Sequence, residues 1–260
     1  MIRVGVFGAG GRMGRTVCQA VLDDPGLELA AAVDPFHAGL DLGQVIGVDV
    51  PVQIAADAQA MVESDVDVAV DFTQLAAARA NLRDLAEAGI HAVVGTSGFT
   101  AADLDELTGW FTRSNCIIAP NFAIGAVLMI RFAELAAPYF DTAEIIELHH
   151  NQKIDAPSGT AMATAERMAA ASSTWAADPT TVSAPGARGA VGPADIPIHS
   201  VRLRGLVAHQ EVLLGTTGQT LTLRHDSYDR SSFMPGVVLA VKKIATTPGI
   251  TLGLDALLDL

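Results

Sequence analysis

The feature that most constrains this chain lies in its first residues. An apolar run at 2–7 (IRVGVF) ends in GAGGRMG at 8–14, and a helical pattern through Met13, Val17, Val21 and Leu22 follows. A strand that turns this sharply into a helix needs glycine at the turn. Counted strictly the turn is not GxGxxG, because Met13 stands in the third glycine's place; it reads GxxGxxG through Gly8, Gly11 and Gly14. Such glycines let the backbone turn, approach a pyrophosphate closely and seat the helix on the strand, with the anion held at the helix N-terminus. A second strand pattern at 27–33 ends at Asp34, 20 residues after Gly14, where a carboxylate can accept hydrogen bonds from an adenosine ribose. The candidate nucleotide-binding residues are therefore Gly8, Ala9, Gly10, Gly11, Arg12, Met13 and Asp34. The bland alternative, a tight turn beside a solvated aspartate, is weakened by the ordered succession of strand, turn, helix, strand and acid. Asp34 is followed by Pro35 and Phe36 with no adjacent arginine for a 2′-phosphate, which favours NADH, while Arg12 and Arg15 leave NADPH open.

The alternation continues. Apolar runs at 66–72, 90–94 and 116–119 are separated by helical stretches at 75–88 and 101–113, which predicts a parallel sheet covered on both faces. Past Asn121 the grammar changes: a helix near 124–135, a strand at 143–148, a polar loop and an alanine-rich helix from Gly159 to about Ala171. Residues 172–197, with four prolines and three glycines, read as a long surface loop. Alternating segments at 198–204, 207–215 and 218–226 read as neighbouring antiparallel strands, and a last helix near 235–244 is expected to return to the first domain. The expected fold is thus α/β, with a Rossmann-like dinucleotide-binding domain over 1–122 rejoined by 234–260. An α+β substrate-binding and oligomerisation domain with an open mixed sheet spans 123–233.

Composition narrows the class. A formal charge of −13 leaves no basic face for nucleic acid. No apolar run reaches the roughly 20 residues that span a bilayer, and the first residues lack a secretory pattern, so a soluble, cytoplasmic protein is expected. Cys18 and Cys116 have neither metal-type nor disulfide-framework spacing.

The most informative stretch is ELHHNQKIDAPSGTA at 147–161. His149 and His150 close a strand, Lys153 follows, and Ser158 precedes a helix whose first residues, Gly159 and Thr160, offer backbone N–H groups suited to a carboxylate. Cationic groups and donors gather here in an otherwise acidic chain. On pattern alone a hydrogen-bonded strand end and a solvated lysine remain equally good readings. A metal site is disfavoured because His149, His150 and Asp155 lack a ligand spacing.

With these segments in order, the sequence closely resembles the dihydrodipicolinate reductase family. The likeness is carried by GAGGRMG, DFT at 71–73, GTSGF at 95–99, APNFAIG at 119–125, the ELHH segment and RHDSYDR at 224–230. The resemblance implies NADH- or NADPH-dependent reduction of 4-hydroxy-tetrahydrodipicolinate, through dihydrodipicolinate, to tetrahydrodipicolinate in lysine and diaminopimelate biosynthesis. It also implies a homotetramer built through the second domain's sheet. By the family's pattern His149 and Lys153 handle protons, while His150, Lys153, Gly159 and Thr160 grip a small dicarboxylate. Phe72, Gly95, Thr96, Ser97, Ala119, Pro120, Asn121 and Phe122 would line the nicotinamide. No metal is implied. Three positions depart from the pattern: Gln152 stands where a third histidine is common, Ser97 replaces a threonine and Leu75 a proline. Two rivals differ in class. A semialdehyde dehydrogenase would need a loop cysteine, whereas Cys116 starts an apolar strand, and a nucleotide-sensing module would have no use for the HHxxK cluster. The apolar positions Val201, Leu203, Val212, Leu214, Leu221 and Leu223 exceed what one covering helix would bury, which independently favours a symmetric partner.

Overall fold

The computed structural model describes residues 1–258, so the last two positions of the 234–260 return segment lie outside the described residues. The elements run β1 (Ile2–Phe7), α1 (Arg12–Asp23), β2 (Leu27–Val33), α2 (Leu42–Ile46), β3 (Ile54–Ala55), α3 (Gln59–Glu63), β4 (Val68–Asp71), α4 (Leu75–Ala88), β5 (His91–Val94), α5 (Ala101–Trp110) and β6 (Cys116–Ile118). Then come α6 (Ile124–Ala136), β7 (Thr142–His149), α7 (Gly159–Ala171), β8 (Ala190–Val191), β9 (Pro197–Arg202), β10 (Ala208–Thr216), β11 (Gln219–Ser227), α8 (Met234–Lys243) and β12 (Ile250–Leu252). The chain divides into one unit of Met1–Ile124 with the segment from Arg230 onward, and a second of Gly125–Asp229.

The first unit is a seven-stranded sheet in the order β12-β6-β5-β4-β1-β2-β3, every pair parallel. β4 and β6 are buried along their whole length, as strands covered on both faces must be. α1 packs Val17, Cys18 and Val21 inward. α4 stops at Gly89 in the left-handed region, and α5 starts with a Thr100–Asp103 capping box. The stretch 34–63, which carries no clear periodicity, holds two helices of five residues each and a strand of two. Elements this short are set by the sheet edge they close rather than by their own pattern.

In the second unit the strand order is β11-β10-β7-β9-β8. The expectation of three neighbouring antiparallel strands is corrected here: β10 and β11 pair antiparallel, but β7 stands between β10 and β9, and β9 runs parallel to β7. Local alternation identifies strands and cannot identify partners. The 172–197 loop also carries β8 and a 3-10 turn at Pro193–Asp195. One sheet face is covered by α6 and α7, with Ile145, Ile198, Val212 and Leu214 against Met129, Ala133, Ala165 and Met168. Leu221 and Leu223 pack against the same cluster. Four of the six apolar positions noted in the sequence therefore face this core, while Leu203 is exposed. The opposite face presents Ile146, Leu148, Val201 and Leu213, all half-buried, among the pairs Glu144–Arg188, Glu144–His199 and Glu211–Arg224. No helix among the described residues is long and apolar enough to cross a membrane.

Candidate active site

The glycine turn is built as its sequence requires. Gly8 has a φ of +67°, a conformation that side chains disfavour, and its carbonyl accepts from the Gly11 N–H at 2.9 Å. A Cβ at Gly14 would strike that same carbonyl, so the close seat of α1 on β1 depends on glycine there. Gly11 is the N-cap of α1, leaving Arg12 and Met13 as the first helical residues, whose N–H groups lie beyond the reach of intrahelical bonds. Arg15 Nε donates to the Gly10 carbonyl at 2.7 Å, which ties that side chain to the turn, whereas the exposed Arg12 guanidinium has no partner among the described residues.

Asp34 ends β2 beside the turn. Its carboxylate accepts from the N–H groups of Gly10 and Phe36, each at 3.0 Å. His37, which the sequence reading did not single out, stacks its ring over Gly10, with Nδ1 3.2 Å from Asp34 Oδ1 but not aligned for a hydrogen bond. A three-residue spacing in a turn carries no signal for such a contact. Turn, helix start and carboxylate fit a dinucleotide: the α1 N-terminus suits a pyrophosphate and Asp34 a ribose.

At the ends of the next strands, the Phe72 ring packs on Gly95 and against Phe122, with ring centroids 5.5 Å apart. Thr96 Oγ1 donates to the Thr73 carbonyl at 2.9 Å, and Ala119 N–H to the Val94 carbonyl at 3.0 Å. The Ala119 and Phe122 side chains are buried, so these positions can offer a ligand chiefly backbone, while Ser97 and Pro120 are exposed. Asn121 Oδ1 accepts from the Ala123 N–H at 2.9 Å and shapes the entry to α6.

In the second unit, β7 and the loop after it bring His149, His150, Lys153, Gly159 and Thr160 to one end of the sheet. Lys153 N–H donates to the His150 carbonyl, and Lys153 Nζ stands 2.8 Å from both oxygens of Asp155. That contact holds the Asp155 carboxyl below the usual carboxylate range. Ser158 caps α7 by accepting from Ala161 N–H at 3.2 Å, which makes Gly159 and Thr160 its first helical residues.

Beneath this loop lies a polar floor that the sequence reading missed. Residues of one parity in β7 face the core: Ala143, Ile145, then Glu147 and His149. Register aligns Ser200, Glu147 and Gln210 in one row across β9, β7 and β10, and puts Arg202 and Ala208 beside His149 in the next. Glu147 is fully buried. Arg202 grips it through Nη2 to Oε1 at 2.7 Å and Nη1 to Oε2 at 2.8 Å, and also donates to the Asp155 carbonyl. Burial alone would raise the Glu147 carboxyl, but hydrogen bonds from Arg202, Ser200 and His149 outweigh it and hold the carboxyl below its ordinary range. Burial pushes the His149 imidazole down, partly offset by Glu147 and reinforced by Lys153 and Arg202. The signal was present: a charged residue at core parity, in ELHH and again in HSVR, demands a buried partner. No cluster of three or more potential metal ligands occurs among the described residues.

Comparison with known proteins covers the whole length. The family model described as dihydrodipicolinate reductase, N-terminus, matches residues 2–122, and that described as dihydrodipicolinate reductase, C-terminus, matches 125–258. The 4-hydroxy-tetrahydrodipicolinate reductase of Nocardia farcinica is 50% identical over 266 residues, covering 100% of this chain and 99% of the relative. That of Mycobacterium marinum is 49% identical, with 100% of both chains covered. Among solved structures, dipicolinate-bound dihydrodipicolinate reductase from Paenisporosarcina sp. TG-14 superposes with a TM-score of 0.87 at 40% identity, over 98% of this chain and 99% of that one. With both halves matched and half of all positions identical to such a relative, this chain belongs to the dihydrodipicolinate reductase family.

Proposed function

We infer that the protein reduces 4-hydroxy-tetrahydrodipicolinate, by way of dihydrodipicolinate, to tetrahydrodipicolinate in lysine and diaminopimelate biosynthesis, using NADH or NADPH. The observation that carries the reading is local: His149, Lys153 and the start of α7 are gathered at one sheet end in a chain of net charge −13. Such an arrangement suits a small anionic ligand, a dicarboxylate among them. The bound reduced nicotinamide supplies the hydride. Gly8, Ala9, Gly10, Gly11, Arg12 and Met13 hold the pyrophosphate and Asp34 the adenosine ribose. Phe72, Gly95, Thr96, Ser97, Ala119, Pro120, Asn121 and Phe122 form the nicotinamide end.

For the substrate, the N–H groups of Gly159 and Thr160 take one carboxylate, Lys153 adds charge and His150 a hydrogen bond. As electron density moves toward the ring nitrogen, Lys153 stabilises it, and His149 with Lys153 delivers the proton the product needs. To donate from Nε2, His149 must be protonated on both ring nitrogens, a form that burial disfavours and Glu147 favours. Gln152 gives the site no third histidine.

The open face of the second unit's sheet is assigned to a homotetramer, because Ile146, Leu148, Val201 and Leu213 leave an apolar strip set among charges. Light scattering at micromolar concentration is expected to return four chains; a monomer refutes the assembly. The enzyme is placed in the cytoplasm with its pathway. Dihydrodipicolinate generated in situ from pyruvate and aspartate semialdehyde by a coupled synthase should drive NADH oxidation. No oxidation, with the enzyme folded and binding NADH, overturns the reading.

A further inference from the structure

We propose that Glu147 is a positioning residue, which fixes the tautomer and direction of the His149 ring while Arg202 holds the carboxylate itself in place. The proposal rests on the reading of His149 as a proton-handling group.

A carboxylate in a strand interior is costly unless every lone pair is used. Glu147 uses both oxygens. Oε1 accepts from Arg202 Nη2 and from the Ser158 N–H at 3.2 Å; Oε2 accepts from Arg202 Nη1 and meets His149 Nδ1 at 2.5 Å. An ionised carboxylate only accepts, so the proton of this last bond belongs to Nδ1. Nε2 is then the nitrogen left to exchange protons with a ligand. The same carboxylate, through Ser158, ties the imidazole to the first turn of α7. One buried group thereby sets the angle between proton donor and carboxylate cradle, at the middle of the cross-strand row of Ser200, Glu147 and Gln210.

A purely structural role predicts something different. If Glu147 served only to neutralise Arg202, replacing it would lower stability and leave chemistry alone. The charged groups facing His149 are Glu147 on its own strand, Arg202 from β9 and Lys153 in the following loop, the last paired with Asp155. β10 presents only Ala208 beside it. Glu147→Gln deletes the group that favours the imidazolium and leaves two that oppose it. The limb of the pH–rate profile that reports His149 must therefore move to lower pH, by about one unit or more, whichever protonation state is active.

The test takes the full-length enzyme and compares wild type, Glu147→Gln, Glu147→Asp and His149→Gln. We expect Glu147→Gln to lower kcat about tenfold or more, with KM for the dicarboxylate changed less than about threefold and NADH affinity unchanged. Glu147→Asp, which keeps the charge, should return the pH limb toward wild type and recover part of kcat. Nitrogen-15 spectra of histidine-labelled wild type, with the His149 signal identified by its loss in His149→Gln, should show the Nδ1–H tautomer. A wild-type pH limb and kcat in Glu147→Gln, with His149→Gln impaired, overturns this proposal alone. An unimpaired His149→Gln removes the parent reading as well. Should Glu147→Gln fail to fold, the wild-type spectrum decides, because an Nε2–H tautomer refutes the hydrogen bond on which the argument stands.

Discussion

Replacing Lys153 by alanine removes the one cation of the HHxxK segment that can meet a substrate carboxylate directly. Its ammonium is engaged by Asp155, at 2.8 Å from each oxygen, so substrate must displace that partner. A unit charge pair at about 4 Å and an effective dielectric near 20 is worth about 4 kcal/mol. Asp155 is 56% exposed, and an exposed pair returns at most about 1 kcal/mol. The difference, about 3 kcal/mol, is roughly a hundredfold in kcat/KM. Lys153→Ala should therefore lower kcat and raise KM for the dicarboxylate, while NADH binding followed by fluorescence stays unchanged. Asp155→Asn is the complementary change: by releasing the ammonium it should lower KM by up to about fivefold. Near-normal turnover in Lys153→Ala would refute the reasoning and return the HHxxK cluster to a structural role.

Three further outcomes are expected. Gly14→Ala drives a methyl group into the Gly8 carbonyl, so NADH affinity should fall at least about tenfold and stability by about 1–3 kcal/mol, checked by fluorescence titration and thermal melting. NADH should be used at least as well as NADPH, because the buried Asp34 carboxylate faces any 2′-phosphate with only Arg12 unengaged nearby; a tenfold or greater NADPH preference in kcat/KM contradicts this. Burial lowers His91, His149 and His225, so the unfolded chain binds more protons than the folded one as pH falls below about 6.5. Melting temperature should then drop between about pH 7 and 5, and drop again below about pH 4.5, where Glu144, Glu147 and Asp226, all held low in the fold, lose their pairs. A melting temperature flat from pH 7 to 5 would contradict the first step.

What the sequence made legible followed from periodicity and punctuation. β1, β2, α4 and α7 lie at the residues their patterns indicated, because each is a regular run ended by glycine, proline or a capping residue. The pieces of 34–63 and the terminal β12 were not legible, since two or three residues on a sheet edge carry no period. Pairing of β9 with β7 was hidden for another reason: it joins residues 53 positions apart, such as Ile145 and Ile198, and alternation records which face a residue takes but not its neighbour strand. At the candidate site, His149 and Lys153 stood out because they lie within one short segment, four positions apart. Arg202 and Gln210 arrive from other strands, and only their polar character at core parity marked them. His37 left no mark at all.

The first unit is drawn from two segments that flank the second. β12 pairs with β6, Asn115 bonds the backbone at Ile244 and Gly249, and Lys242 reaches Asp24 across 218 positions. During synthesis, the nucleotide-binding motif therefore leaves the ribosome before the second unit, and the segment that closes its own unit leaves after it. All of Gly125–Asp229 is available to fold while β6 still lacks its outer neighbour and the α1 side still lacks α8. For that interval β6 is an apolar edge strand open on its outer side, the kind of surface on which chains associate wrongly. The second unit, complete within one stretch of sequence, has no such waiting period.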